Sequence, residues 1–215
     1  MKEAIIFFTR VPIPNETKTR LLTDFTPKEA ARIHSVILRT IFNNIKSVNR
    51  DVFVFISPME KSHVLRELIN WNEFYPQEGN NLNEKMKNAV FSILDQGYDK
   101  VVLLGSDLIG VDRDYLSTAF KILDKKDLVI GPAEDGGYGL VGMKEKRSCV
   151  FDEEKLGHNK VLDNLISRID SNNLSYGLLK EIYDIDLVSD FNRVTGNLEK
   201  DIDEFERIIR SKYER

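Results

Sequence analysis

Val101-Val102-Leu103-Leu104-Gly105-Ser106-Asp107 decides the fold. Two valines and two leucines in a row are too short for a helix and read as a strand buried on both faces. The run passes directly into a small-small-acid turn. In open α/β sheets, ligands collect at the carboxyl ends of strands, so Asp107 stands where chemistry is expected. A core position is excluded for it, because an unpaired buried carboxylate is too costly. The duller role, capping the next helix, fits Asp112 better.

Strands of the same kind lie on either side. Ala4-Ile5-Ile6-Phe7-Phe8 and Asp51-Val52-Phe53-Val54-Phe55-Ile56-Ser57 read as buried strands. So does Asp127-Leu128-Val129-Ile130-Gly131-Pro132-Ala133, with Gly139–Met143 resuming after a turn and a late strand over 178–185. Between them the period changes. Thr26-Pro27-Lys28-Glu29 is a capping box with Pro in the first turn, followed by Ile33, Ile37, Ile41 and Ile45 at every fourth residue. That predicts a long amphipathic helix, with His34 on its flank as a surface residue. Further helices are expected over 59–69, from a cap at Asn81 to about Leu94, from Asp112 to Leu123, over 160–169, and over 198–213. Trp71, Phe74 and Tyr75 read as packing residues. Strands alternating with helices predict an α/β fold with a mostly parallel sheet flanked by helices, in one domain.

Composition sets limits on function. The 215 residues are 41% hydrophobic and 31% charged, ordinary for a globular protein. A net charge of -4 argues against a nucleic-acid partner. One cysteine, Cys149, rules out an intrachain disulfide and a cysteine-based zinc cluster. The N-terminus runs straight into a strand without a signal-peptide pattern, and no apolar run approaches a membrane span. The expected setting is therefore cytoplasmic, with oligomeric state, a homodimer included, left open.

The loop after the first strand, Thr9-Arg10-Val11-Pro12-Ile13-Pro14-Asn15-Glu16-Thr17-Lys18-Thr19-Arg20, lacks the glycines of a P-loop or a GxGxxG fingerprint. It carries Arg10, Lys18 and Arg20, cations suited to phosphate. Acids follow other strands: Asp107, then Glu134 and Asp135, then Asp184 and Asp186. A diphosphate beside Asp107 would be repelled, since a charge pair at about 4 Å is worth ~4 kcal/mol at an effective dielectric of about 20. A bound Mg²⁺ or Mn²⁺ reverses that sign, and oxygen ligands in small number suit those ions. The three histidines are too scattered for zinc. Glu134-Asp135-Gly136-Gly137-Tyr138 would let backbone approach a ligand, although Asp-Gly also suits a plain hairpin turn.

Taken together, the Phe8–Leu21 loop, the Gln77–Leu82 turn with Gly79, Gly105-Ser106-Asp107 and Gly131-Pro132-Ala133-Glu134-Asp135-Gly136-Gly137-Tyr138 resemble the small GT-A-type transferases. These are glycosyltransferases or nucleotide-diphospho-sugar transferases. Asp184-Ile185-Asp186 with Asp190 resembles their closing acidic segment. More distantly the chain is similar to the molybdenum-cofactor and phospholactate guanylyltransferases.

The resemblance implies a single-domain GT-A fold with a metal at Asp107, its shell completed by Asp186. It places Arg10, Lys18, Arg20, Gln77, Gly79, Ser106, Gly136 and Gly137 around the nucleotide and its phosphates. Departures stand at Asn15, where Gly is usual, at Leu108-Ile109, and at Leu156-Gly157-His158, where Trp-Ser-Thr is common.

The expected partner is a nucleotide sugar or a nucleoside triphosphate, with an unspecified acceptor. In glycosyl transfer, Lys18 steadies the departing nucleoside diphosphate and Glu134 or Asp135 serves as base. In nucleotidyl transfer a substrate phosphate attacks the α-phosphate and needs no base. A nucleotide-binding protein without turnover is the remaining reading. The acid pair tips the sequence reading towards glycosyl transfer.

Overall fold

The computed structural model describes residues 1–153 and 159–184. Its centre is β1 (Glu3–Arg10), parallel to β2 (Asp51–Ser57) on one side and to β4 (Lys100–Gly105) on the other. Alternation along these strands feeds two cores. Ile5 and Phe7 of β1, with Val102 and Leu104 of β4, face one hydrophobic cluster. Ala4, Ile6 and Phe8, with Val101 and Leu103, face the other. This is why the strands read as unbroken apolar runs rather than alternating ones.

The first core is closed by α1 (Pro27–Lys46), α2 (Ser62–Ile69) and α4 (Arg113–Leu123). The second is closed by α3 (Leu82–Asp95) and α5 (Val161–Ser171). Helix starts follow their local chemistry. Thr26 accepts from the Glu29 amide while Glu29 Oε2 accepts from the Thr26 amide at 2.7 Å, a complete capping box on α1. Asn81 Oδ1 accepts from Glu84 N at 2.9 Å, and Asp112 Oδ1 from Tyr115 N at 2.7 Å. Asp112, not Asp107, is therefore the cap of α4.

The remaining strands are β3 (Phe74–Pro76), β6 (Leu128–Pro132), β7 (Tyr138–Met143) and β8 (Tyr176–Leu178). The seven-stranded order is β3-β2-β1-β4-β7-β6-β8, with β7 antiparallel to both neighbours. A separate pair joins β5 (Leu108–Ile109) to β9 (Tyr183–Asp184).

Three expectations need correcting. Phe74 and Tyr75 do pack, but as the edge strand β3, whose short length hides any period. The late strand is two strands. Tyr176–Leu178 lies beside β6, and the chain then leaves the sheet to pair Tyr183–Asp184 with β5. The 59–69 helix is also split, with a 3₁₀ turn at Met59–Lys61 leading into α2. Asp186, Asp190, the 156–158 departure and the 198–213 helix lie outside the described residues.

Candidate functional site

The strand order reverses its direction of growth at β1, with β2 on one side and β4 on the other. Such a switch point leaves a crevice at the carboxyl ends of the strands. Here it is a cavity of about 660 Å³, walled by Arg10, Lys18, Arg20 and Lys85 among the cations, by Glu16, Asp107 and Asp184 among the acids, and by His34.

The loop after β1 is shaped by a few short-range contacts. The Thr17 hydroxyl accepts from Ile13 N and donates to Ile13 O, both at 2.8 Å. Asn15 has φ 69°, a left-handed conformation that suits glycine and that Asn tolerates among side-chain-bearing residues. The Asn15 departure therefore keeps the backbone shape glycine would give. Leu21, wholly buried, anchors the 3₁₀ turn Thr19–Thr23 and leaves Arg20 at the surface. Lys18, also left-handed at φ 50°, turns its side chain inward.

Inside, Lys18 Nζ lies 3.3 Å from Asp107 Oδ2, the ammonium side chain being 2% exposed and the carboxylate side chain 44%. On the opposite oxygen, His34 Nε2 lies 3.0 Å from Asp107 Oδ1. The same ring nitrogen is 3.1 Å from Ser106 Oγ, and Ser106 Oγ is 2.7 Å from Thr9 Oγ1. Burial pushes the Asp107 carboxyl up. The neighbouring His34 and Lys18 outweigh it and hold the group well below the usual carboxylate range.

His34 overturns a sequence expectation. It is 1% exposed, not a surface residue on the flank of α1. The isoleucine row at every fourth residue marks only part of the buried arc. Ala31, His34, Leu38 and Phe42 are buried beside it, and their spacing of three and four residues was a legible sign of a second inward row.

The other candidates fall into two groups. Arg10, Lys18, Arg20, Gln77, Ser106 and Asp107 share the cavity wall. Within that group, Gln77 Nε2 donates to Thr9 O at 2.9 Å and to Phe55 O at 3.1 Å, so its amide hydrogens tie the ends of β1 and β2 together. Ser106 is buried, with its hydroxyl between Thr9 and His34.

Gly79, Glu134, Asp135, Gly136 and Gly137 lie outside the lining. A Cβ on Gly79, where φ is 144°, would meet Lys85 N at 2.8 Å, so this glycine lets the turn pass close to the start of α3. Residues 133–137 close the β6–β7 hairpin. Ala133 N donates to Gly137 O and Gly136 N to Ala133 O, each at 3.0 Å, and Asp135 Oδ1 accepts from Gly137 N at 2.8 Å. Glu134 and Asp135 are exposed there. Sequence reasoning missed Lys85 on α3, and it missed the route by which Leu108-Ile109 brings an acid inward. Leu108 pairs with Asp184, which sets Asp184 in the cavity wall.

For a metal, Asp107 offers one carboxylate whose side chain is partly open to the cavity, with Asp184 lining the same space. Among the described residues no three His, Cys, Asp or Glu side chains gather closely enough to form a cage. Oxygen donors in small number fit Mg²⁺ or Mn²⁺, ions that complete their shell with phosphate and water. Among the described residues no helix is long and apolar enough to cross a membrane.

The fold has close counterparts. A protein of Desulfovibrio desulfuricans G20 provisionally named a nucleotide-diphospho-sugar transferase superposes with a TM-score of 0.88 at 26% identity, over 99% of each chain. A cytidylyltransferase from Leptospira borgpetersenii superposes at 0.55 with 14% identity, over 98% of this chain and 95% of that one. The CTP complex of CMP:2-keto-3-deoxy-manno-octonic acid synthetase does so at 0.58 with 8% identity, over 90% and 97%. The latter two share the fold alone. No curated protein sequence matches. The architecture is that of the nucleotide-diphospho-sugar transferases. Residues 40–158, more than half of the 215, match the family described as "Uncharacterized protein conserved in bacteria (DUF2064)", and the chain belongs to that family.

Proposed function

We propose that the chain is a transferase whose donor is a nucleotide carrying a pyrophosphate, in the first instance a nucleotide-diphospho-sugar. The observation that carries this is the Lys18–Asp107 pair at the crevice between β1 and β4, in a cavity ringed by Arg10, Arg20 and Lys85. The volume of about 660 Å³ is right for a nucleotide-sized ligand. The D. desulfuricans counterpart, alike over its whole length, supports a sugar-nucleotide donor.

In this reading the donor pyrophosphate lies along the loop after β1. Arg10 and Arg20 orient it from the rim, and Lys18 meets the charge that grows on the departing phosphate. Asp107, and Asp184 across the β5–β9 pair, would hold Mg²⁺ or Mn²⁺ against the same phosphates. The ion would supply charge neutralisation of the leaving group. Gln77 keeps the ends of β1 and β2 in register beneath the ligand.

One observation favours nucleotidyl transfer as a second reading. Glu134 and Asp135 are exposed at the hairpin tip and do not line the cavity, so neither stands over the donor as a base. An attacking phosphate needs none. Product analysis separates the two. Incubation with Mg²⁺ and a panel of nucleotide sugars should release nucleoside diphosphate. Pyrophosphate release from a nucleoside triphosphate with a phosphorylated acceptor would establish the second reading. Neither product, and no nucleotide binding, would refute both.

A further inference from the structure

We infer that His34 is a positioning residue for Asp107: it holds the inner carboxylate oxygen so that the outer one stays presented to the cavity. The inference rests on the pyrophosphate reading above and adds to it a residue of α1, on the cavity wall, whose printed polar contacts are with Asp107 and Ser106.

Asp107 is asymmetric. Among the described residues its Oδ1 is buried and meets no hydrogen-bond donor in regular alignment, yet the side chain as a whole is 44% exposed. The exposure therefore belongs to the rest of the side chain, which lines the cavity. A buried carboxylate oxygen left among apolar atoms would be strongly disfavoured. His34 Nε2, 3.0 Å away, is the polar atom set against it. An unprotonated ring nitrogen there would place two lone pairs face to face, so this contact assigns the proton to Nε2.

The ring is itself fixed. It is 98–99% enclosed by the packing of α1, being 1% exposed overall, and its Nε2 also contacts Ser106 Oγ at 3.1 Å. Ser106 in turn is locked to Thr9 at the end of β1. Among the described residues His34 Nδ1 is buried with no hydrogen-bond partner, so the polar contacts of the ring gather on Nε2, with Ser106 and Asp107. A histidine retained merely to fill space would not need a polar edge aimed at a carboxylate; an apolar side chain would avoid the buried Nδ1.

Without His34, Asp107 can turn both oxygens to Lys18 in a fork, withdrawing carboxylate and ammonium together from an incoming phosphate and its cation. The Nε2 position is what matters. Glutamine can place its amide nitrogen near where Nε2 stands, whereas the shorter asparagine reaches only the Nδ1 position.

The test compares His34→Gln, His34→Asn and His34→Leu by titration calorimetry with inorganic pyrophosphate and Mg²⁺, with thermal melts on the same samples. Wild type should bind. H34N and H34L should bind about tenfold more weakly, the scale of one hydrogen bond to a charged group, and H34Q should recover to within about threefold. H34L fills the core volume, so it keeps the test usable if the asparagine variant fails to fold. A merely structural role would rank the variants by melting temperature and would not set glutamine apart. Equal binding by wild type, H34N and H34L would overturn the positioning role alone. Absence of pyrophosphate binding by wild type would overturn the pyrophosphate reading and this assignment with it.

Discussion

The buried ammonium of Lys18 stands 3.3 Å from the carboxylate of Asp107, joining the loop after β1 to the end of β4. Lys18 has a left-handed backbone, and both groups lie in the wall of one cavity. Lys18→Met keeps the length of the side chain and removes the charge. It should weaken binding of a nucleoside diphosphate by about tenfold or more, as expected for loss of a charge-assisted phosphate contact. Calorimetric titration checks this, with a melting curve alongside. A fall in melting temperature with unchanged binding would make the loop a structural feature only.

Asp107→Asn keeps the shape and removes the charge that a divalent cation needs. Nucleotide binding should lose its dependence on Mg²⁺, and far-ultraviolet circular dichroism should be unchanged. Titrations with and without EDTA measure the first effect directly. Mg²⁺-stimulated binding that survives the substitution would remove Asp107 from the metal site.

The same residue carries a pH signature. Its folded-state carboxyl lies well below the ordinary 3.8, because His34 and Lys18 outweigh the upward push of burial. A depressed carboxyl contributes stability that is present above the unfolded value and is lost as pH falls through the folded one. The melting-temperature advantage of wild type over D107N should therefore be full above pH of about 4 and shrink progressively in stronger acid. A difference independent of pH from neutrality down to pH of about 2 would contradict the charge pairing.

Two neighbouring glycines should behave differently. Gly136 has φ 84°, and a Cβ there would lie 2.4 Å from the backbone oxygen of Asn159. Gly136→Ala should destabilise by about 1–3 kcal/mol, the cost of a strained backbone position. The atoms nearest a Cβ on Gly137 belong to the Asp135 side chain, the closest at 3.0 Å, and that side chain can move. Gly137→Ala should change stability by under about 1 kcal/mol. Denaturant melts of both variants decide it. Equal losses would mean the pair is not divided between packing and turn.

Much of the frame was legible because its signals are local. The apolar runs at residues 4–8 and 101–104, the capping residues Thr26, Asn81 and Asp112, and the cation-bearing loop after β1 each announce themselves within a few positions. The parts that were hidden depend on partners distant in the chain. His34 could be placed only by knowing that α1 buries a wider arc than its isoleucine row, and that Asp107 lies beneath it. Residues 178–185 read as one strand because nothing local shows that Tyr176–Leu178 and Tyr183–Asp184 pair with different partners, β6 and β5. Gly79 and Gly136 carried the right signal, a need for glycine, but its cause is close backbone packing against α3 and Asn159.

The most direct test of the central claim is a crystal structure with a nucleoside diphosphate and Mn²⁺, read by anomalous scattering. The account predicts a manganese peak about 2.0–2.3 Å from an Asp107 carboxylate oxygen, with a phosphate oxygen on the same ion and Lys18 Nζ in contact with the pyrophosphate. A nucleotide bound elsewhere, or in this cavity with its phosphates turned away from both Lys18 and Asp107, would contradict it.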